Sequence, residues 1–339
     1  MSTPALPPNE KILSLRDGRQ LAYSENGNPT SSTMVIFFHG VFGVGVADLI
    51  LPTFKNMDIH FVAPTIPGWG NSSLRPNALS YAAALSSDIG QLITHLHPDD
   101  SNLRIYVSGG SYGTVPAQTI YGAPFDVFPH GRKIVGCVLL APFSPFKYHT
   151  NYTSCMIWSN YISVGPPSKY VPFRILPRMI ASILAWRMRS VDKAENMLHE
   201  ILFDKMTDEE KSNFAAWREA QGLRDGEFER RMAENAVKSV SKTWGGFIEV
   251  CGVLHEDWGF RPDELDEEHT TSRPILVVAS TEDPLGPGMA KWLADTYRNS
   301  ELKWTSGGHI ASLYEMDAIW NDFICRTRYD RMLNWMLST

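Results

Sequence analysis

The chain has 339 residues, of which 43% are hydrophobic and 20% are charged, as in an ordinary globular protein with a packed core. Its net charge is −6 and no basic stripe stands out, which argues against nucleic acid as a partner. The N-terminus lacks a secretory signal pattern, and no apolar run approaches the roughly 18 residues of a membrane span. The proline-rich residues 1–10 are predicted to form a flexible tail.

The cysteines are few and widely scattered. They form no C-x-x-C pair and no disulfide framework, which favours a reducing, cytoplasmic location. The four positions are Cys137, Cys155, Cys251 and Cys325.

The N-terminal part of the chain predicts an α/β domain. Residues 11–26 alternate apolar and polar side chains around Asp17-Gly18, which indicates a β-hairpin. Continuous apolar runs then alternate with helical patterns, an order typical of a mostly parallel, doubly wound sheet. The predicted strands are 33–38, 59–63, 104–107 and 134–140, and the predicted helices are 80–97, with Ser80 as N-cap, and one from about 114.

The β/α alternation stops in the middle of the chain. Residues 144–260 have a helical pattern rich in Trp, Met and Arg, and we predict that they form a helical cap inserted into the core. Strand patterns return at 274–279 and, more weakly, at 301–305, before a last helix from about 310. The core is therefore predicted to comprise residues 11–143 and 261–339.

The strongest chemical signal is a G-x-S-x-G motif centred on Ser111. It follows a predicted strand and precedes a predicted helix, and such a sharp turn pushes a serine hydroxyl out over the sheet. The glycines on either side avoid backbone clashes. An ordinary serine in a glycine-rich turn is the alternative, but the strand–turn–helix context favours a nucleophile.

A base and an acid follow later in the chain. His309 comes after Gly307-Gly308 and the last predicted strand, and Asp283 follows the strand before it. Both therefore lie at the carboxyl edge of the sheet, where open α/β sheets bind ligands. Glu282 competes with Asp283 for the role of acid. We favour Asp283 because Asp-Pro begins the turn and its shorter side chain is held more rigidly.

Together these motifs resemble those of the α/β-hydrolase superfamily, whose triad has the same order of serine, acid and histidine. The resemblance covers most of residues 11–330 except the insertion, and implies the α/β-hydrolase fold with a cap domain. The segments that carry it are HGVFG at 39–43, PGWGNSS at 67–73, GGSYGT at 109–114, S-x-x-D-x-x-x-P at 280–287 and GGH at 307–309.

The same resemblance implies an oxyanion hole formed by the backbone N–H groups of Val41 and Tyr112. Phe42 and Trp258 are expected to contact the substrate, and the cap is expected to shape an apolar pocket. Neither a metal nor a cofactor is expected.

We therefore expect a serine hydrolase, a monomer or homodimer, that cleaves a carboxylic ester or thioester of a small, largely apolar substrate. A serine at position 111 argues against the epoxide hydrolases and haloalkane dehalogenases of this fold, which carry an aspartate nucleophile. Peptide or amide cleavage of the proline iminopeptidase type remains open, as does acyl transfer on the same triad. A non-catalytic binding protein is disfavoured by the complete triad.

Overall fold

The computed structural model describes residues 9–285 and 287–338. Most of the predicted tail, residues 1–8, lies outside the described residues, whereas Glu10 already begins the first strand. The strands of the described chain form one sheet in the order β1-β2-β4-β3-β5-β6-β7-β8. They are β1 (Glu10–Ser14), β2 (Gln20–Gly27), β3 (Thr33–Phe38), β4 (His60–Pro64), β5 (Arg104–Gly110), β6 (Ile134–Leu140), β7 (Ile275–Ser280) and β8 (Ser300–Thr305).

The predicted hairpin is confirmed, since β1 and β2 pair antiparallel with Leu13 opposite Leu21. Strand β2 also pairs antiparallel with β4, and every other pairing is parallel. The predicted mostly parallel, doubly wound sheet is therefore confirmed. Parallel strands place their carboxyl ends at one edge, so the loops after β3, β5, β7 and β8 converge there.

The helices of the described chain cover both faces of the sheet and its carboxyl edge. They are α1 (Pro52–Asn56), α2 (Tyr81–Leu96), α3 (Thr114–Gly122), α4 (Trp158–Val164), α5 (Pro166–Tyr170), α6 (Ile175–Arg187), α7 (Val191–Leu198), α8 (Asp208–Ala220), α9 (Glu227–Ser239), α10 (Gly245–His255), α11 (Glu267–Thr270), α12 (Pro287–Thr296) and α13 (Met316–Ser338). Ser80 caps α2 as predicted, because its hydroxyl accepts a hydrogen bond from the Ala83 N–H. The last helix begins later than predicted, since a short 3₁₀ turn at Ala311–Leu313 precedes it.

The alternation of side chains along each strand produces two apolar layers. On β3, Met34 and Ile36 pack in the layer that contains α2, α3 and α12. Val35, between them, belongs to the opposite layer, which also contains Trp320 of α13. Because both faces are covered, the strand has a continuous apolar sequence rather than an alternating one.

Helices α4 to α10 lie between β6 and β7 in the chain. Side chains of this segment, such as Met197 and Val250, belong to the same buried apolar cluster as residues of α2 and α3. The segment is thus packed onto the sheet domain rather than tethered to it. No helix in the described part of the chain is long and apolar enough to cross a membrane.

Candidate active site

Ser111 lies at a strained turn between β5 and α3. Its φ angle is 53°, in the left-handed region that a residue with a side chain rarely adopts. The turn is tight because Gly109 and Gly113 approach other backbone segments. A Cβ atom on Gly109 would lie 2.0 Å from the Gly113 carbonyl oxygen, and one on Gly113 would lie 2.1 Å from that of Phe38. These contacts explain why the G-x-S-x-G spacing needs glycine at both ends.

Thr114 locks the turn from the helix side. Its hydroxyl donates to the Ser111 carbonyl oxygen at 2.7 Å and accepts from the Phe143 N–H at 3.1 Å. The strain at Ser111 is therefore held by hydrogen bonds from α3 and from the segment after β6.

The structure brings the side chains of Asp283 and His309 together. The Nδ1 atom of His309 lies 2.9 Å from Oδ1 and 3.0 Å from Oδ2 of Asp283. Asp283 is buried, and its Oδ1 also accepts the Leu285 N–H at 2.8 Å. A carboxylate so placed accepts a hydrogen bond from Nδ1–H, which keeps the proton on Nδ1 and leaves Nε2 of His309 as the basic nitrogen.

Glu282 does not take part in this pairing. Its side chain is exposed, and only its backbone N–H contributes, by donating to the Gly307 carbonyl oxygen at 3.0 Å. That bond joins the loop that carries the acid to the loop that carries the histidine. Neither the Ser111 hydroxyl nor His309 Nε2 has a hydrogen-bond partner within the described residues; such catalytic bonds are often long before substrate binds.

The HGVFG loop lies beside the serine. A Cβ atom on Gly40 would be 3.9 Å from Ser111 Oγ. The Val41 N–H has no acceptor among residues 9–285 and 287–338, and the Tyr112 N–H lies in the first turn of a 3₁₀ helix. A helix N-terminus leaves an N–H such as that of Tyr112 without an intrahelical partner. Both N–H groups are therefore suited to a developing negative charge.

His39 fixes the shape of this loop. Its Nε2 accepts the Ile66 N–H at 3.1 Å, which requires the proton on Nδ1, and Nδ1–H donates to the Gly40 carbonyl oxygen at 2.8 Å. Burial lowers the pKa of His39 to about 4, so the ring is neutral near pH 7. His39 is therefore a structural residue of the turn and not a second base.

Phe42 connects the HGVFG loop to the insertion. Its ring stacks on Phe247 of α10 with centroids 5.2 Å apart, and it meets Trp69 and Trp244 edge-on at 6.0 and 6.1 Å. It is only partly buried, which is compatible with the predicted substrate contact.

The chain matches the family model described as alpha/beta hydrolase family over residues 35–321, which is most of its length. It belongs to the alpha/beta hydrolase family. No curated protein sequence matches it significantly.

Many solved structures resemble this alpha/beta hydrolase. An esterase from Rhodococcus sp. matches with a TM-score of 0.58 and 14% identity, over 94% of this chain and 98% of that one. A structure from Nitrososphaera gargenis, described in a study of carboxylesterases, has a TM-score of 0.59 and 15% identity, over 94% and 100%. An esterase from Exiguobacterium antarcticum has a TM-score of 0.55 and 15% identity, over 94% and 99%. At these identities the likeness concerns the fold.

Trp258 does not lie where the sequence suggested. It is 1% exposed, and its indole N–H donates to the Val253 carbonyl oxygen at 2.8 Å. The ring therefore stabilises the end of α10 from within the core of this alpha/beta hydrolase. This placement corrects the expectation that Trp258 contacts the substrate.

Sequence reasoning missed Glu210, a buried carboxylate of helix α8. Its Oε1 accepts the Gly308 N–H at 3.0 Å, directly before the histidine. It also bonds to the Tyr314 hydroxyl; burial raises the pKa of Tyr314, and the Glu210 carboxylate raises it further. The only sequence signal was the T-x-x-E pattern from Thr207, which indicates a helix start and not a partner for a loop about a hundred residues away.

A cavity of about 640 Å³ lies between helices α8 and α9, the segment before α1, and the start of α13. Its walls are mostly apolar, and include Phe37, Trp217, Phe228, Leu313 and Trp320. None of its lining residues belongs to the predicted triad or oxyanion hole, so the cavity does not by itself locate the reaction.

Proposed function

We propose that this protein is a serine hydrolase in which Ser111 is the nucleophile, His309 the general base and Asp283 the residue that orients the histidine. The observation that carries the proposal is the pairing of His309 Nδ1 with both carboxylate oxygens of buried Asp283. The strained turn between β5 and α3, which holds Ser111, supports it. A serine hydroxyl is a poor nucleophile until a base takes its proton. The pairing supplies a base with the correct tautomer.

The proposed reaction has two halves. Ser111 Oγ attacks the carbonyl carbon while its proton moves to His309 Nε2, and the Val41 and Tyr112 N–H groups stabilise the oxyanion. The proton then passes to the leaving alcohol or thiol, and an acyl-enzyme remains. Water attacks this ester and gives a proton to His309, which passes it to Ser111 Oγ as the acid leaves, so that both side chains return to their starting state.

The substrate class that we propose is a carboxylic ester or thioester with a small, largely apolar acyl or alcohol group. The aromatic contacts of Phe42 with Trp244 and Phe247 support this class, because apolar walls bind apolar groups. Several similar structures are described as esterases or carboxylesterases, which agrees with it. The reaction as written needs no cofactor, and the four cysteines, all free, suit a cytoplasmic enzyme.

Active-site labelling tests the proposal directly. A fluorophosphonate probe should attach to Ser111, as located by mass spectrometry, and Ser111→Ala should abolish both labelling and turnover of an activated ester, by up to ~10⁶-fold. Ser159→Ala, at an exposed position of α4, is the matched control and should label normally. Labelling elsewhere, or full activity of Ser111→Ala, would show that the nucleophile is wrongly assigned.

A substrate panel then separates the alternatives. Esters and thioesters of increasing acyl length should be turned over faster than matching anilides. Faster cleavage of N-terminal proline anilides would favour an iminopeptidase instead. Ester product formed from an added alcohol, in preference to free acid, would indicate acyl transfer.

A further inference from the structure

Helix α6 exposes an apolar face to solvent. A surface helix normally buries its apolar stripe and exposes a polar one. Here Pro177 and Ala181 are buried on the inner side, yet the outer side carries a second apolar stripe at helical spacing. Its members are Ile175, Met179, Ile183 and Trp186, of which Ile183 is 67% exposed.

The neighbouring elements of the insertion extend this face. Trp158 of α4 is 75% exposed, and Phe173, just before α6, is 85% exposed. Tyr170, at the end of α5, is similarly open. Single exposed apolar side chains are common, but a contiguous cluster of large ones marks a surface that meets another apolar phase. We call α4, α5 and α6 with these residues the cap face.

The cap face lies in a stretch of the chain that has basic residues and no acidic ones. Residues 151–191 contain five basic residues and no Asp or Glu, although the whole chain has a net charge of −6. Two of the basic side chains are neutralised, since Arg174 pairs with Glu249 and Arg187 pairs with Glu200. The other three have no carboxylate partner within the described residues; they are Lys169, Arg178 and Arg189.

We propose that the cap face docks on an anionic lipid bilayer. Exposed Trp and Tyr, a strip of aliphatic side chains and flanking Lys and Arg are the composition of a helix that lies in the membrane interface. Arg178 lies on the same outer side of α6 as Ile175 and Ile183, so its long side chain can reach the headgroups while its neighbours enter the acyl region. No spanning segment is needed for this mode of binding.

A second copy of the chain fits the cap face less well. A symmetric dimer brings the same patch of two subunits together, which would juxtapose two sets of unneutralised cations. Anionic headgroups instead neutralise them, at roughly a few-fold to tenfold gain in affinity for each cation. Charge complementarity therefore favours the bilayer.

The cap face also borders the candidate active site. Asn160 of α4 donates from its side-chain amide to the carbonyl oxygen of Pro284, next to Asp283, at 3.4 Å. Docking would therefore place the loop that carries Asp283 close to the lipid surface. The binding itself needs no catalysis, so it stands or falls independently of the proposed hydrolase activity.

Vesicle flotation of the full-length chain tests the proposal. The protein should float with vesicles of phosphatidylcholine and phosphatidylserine at least about tenfold more than with phosphatidylcholine alone, and added salt should reduce the difference. Failure of the wild-type chain to float with the anionic vesicles would overturn the proposal.

Two sets of variants assign the binding to the cap face. Met179→Asp with Ile183→Asp should lower flotation about tenfold or more on either vesicle. Arg178→Glu with Arg189→Glu should remove only the preference for phosphatidylserine. Val127→Asp, at a 51% exposed apolar position outside the insertion, is the matched control and should float like the wild type.

Circular dichroism should show the same thermal midpoint for each variant within a few degrees. Loss of flotation can then be attributed to the changed surface rather than to unfolding. Equal loss in Val127→Asp would contradict a specific cap-face contact. Sedimentation velocity tests the alternative occupant. If the wild type is a dimer and the Met179 and Ile183 changes dissociate it, the cap face binds a second copy of the chain instead.

Discussion

The carboxylate of Glu210, on helix α8, accepts a hydrogen bond at 3.0 Å from the backbone N–H of Gly308, the residue directly before His309. The loop that carries the histidine is thus attached to the insertion as well as to the sheet. On its other side, the Glu282 N–H donates to the Gly307 carbonyl oxygen. The imidazole is therefore positioned from two directions by backbone contacts that do not touch the ring.

We predict that Glu210→Ala lowers kcat about tenfold with little change in KM. The Gly308 N–H is partly buried, so leaving it unpaired costs towards the low end of the about 1–3 kcal/mol of a buried group, and a loop that shifts to satisfy it misplaces the proposed base. Glu210→Gln keeps an oxygen that can accept from Gly308 and should restore most of kcat. Steady-state kinetics on an activated ester measures both.

The matched control for Glu210 is Glu229, another buried carboxylate of the insertion. It hydrogen-bonds to Arg218 and lies on α9 rather than next to the histidine loop. Glu229→Ala should lower the free energy of unfolding but leave kcat unchanged. If both alanine variants lose kcat equally, Glu210 has only a general structural role.

Replacing each of the two adjacent acids by its amide tests which of them orients the histidine. Asp283→Asn should cost ~10⁴-fold in turnover, because an amide can hold the imidazole in the wrong tautomer. Glu282→Gln should cost little, since its side chain is exposed and only its backbone N–H is used. The reverse ranking, measured as kcat/KM on one activated ester, would move the acid to Glu282.

Phe42 offers a test of substrate choice that leaves the triad intact. Its ring stacks on Phe247, so Phe42→Ala should open the junction between loop and insertion. We expect the relative kcat/KM of short and long acyl esters to change by about 1–3 kcal/mol, the usual effect of a hydrophobic pocket. Fluorophosphonate labelling of Ser111 should persist. An unchanged substrate ranking would place the specificity determinants elsewhere.

Buried neutral histidines predict a loss of stability in mild acid. Burial lowers the pKa of His39 to about 4 from 6.5, so between these values the unfolded chain binds a proton that the folded chain does not. The contribution of His39 is complete above pH 6.5 and is lost as the pH falls towards 4. Between pH 7 and pH 5 the loss amounts to about 2 kcal/mol.

Urea unfolding at pH 7 and at pH 5 measures this loss. His39→Gln retains an oxygen that can accept the Ile66 N–H but has no titrating ring, so the difference between the two pH values should shrink by about 2 kcal/mol. The same difference in variant and wild type would show that His39 is not responsible.

The sequence alone determined the features that depend on short stretches of chain. The turn around Ser111 needs glycine two residues to either side, so five residues predict the geometry of that turn. The hairpin at Asp17-Gly18 and the cap of α2 at Ser80 are equally local. Asp283 and His309 could be selected as candidate site residues from the sequence because each follows a parallel strand, and parallel strands end at the same edge of the sheet.

Only the tertiary structure decided which surfaces meet. Glu210 and Gly308 are 98 positions apart, and no local pattern links a helix start to a distant glycine loop. An aromatic residue in the insertion gives the same sequence signal whether it lines a pocket or a core, and packing placed Trp258 in the core. Likewise α6 is apolar on two sides, and periodicity cannot say which side is covered. Short-range backbone preferences depend on neighbouring residues, whereas burial depends on segments that come together only when the chain folds.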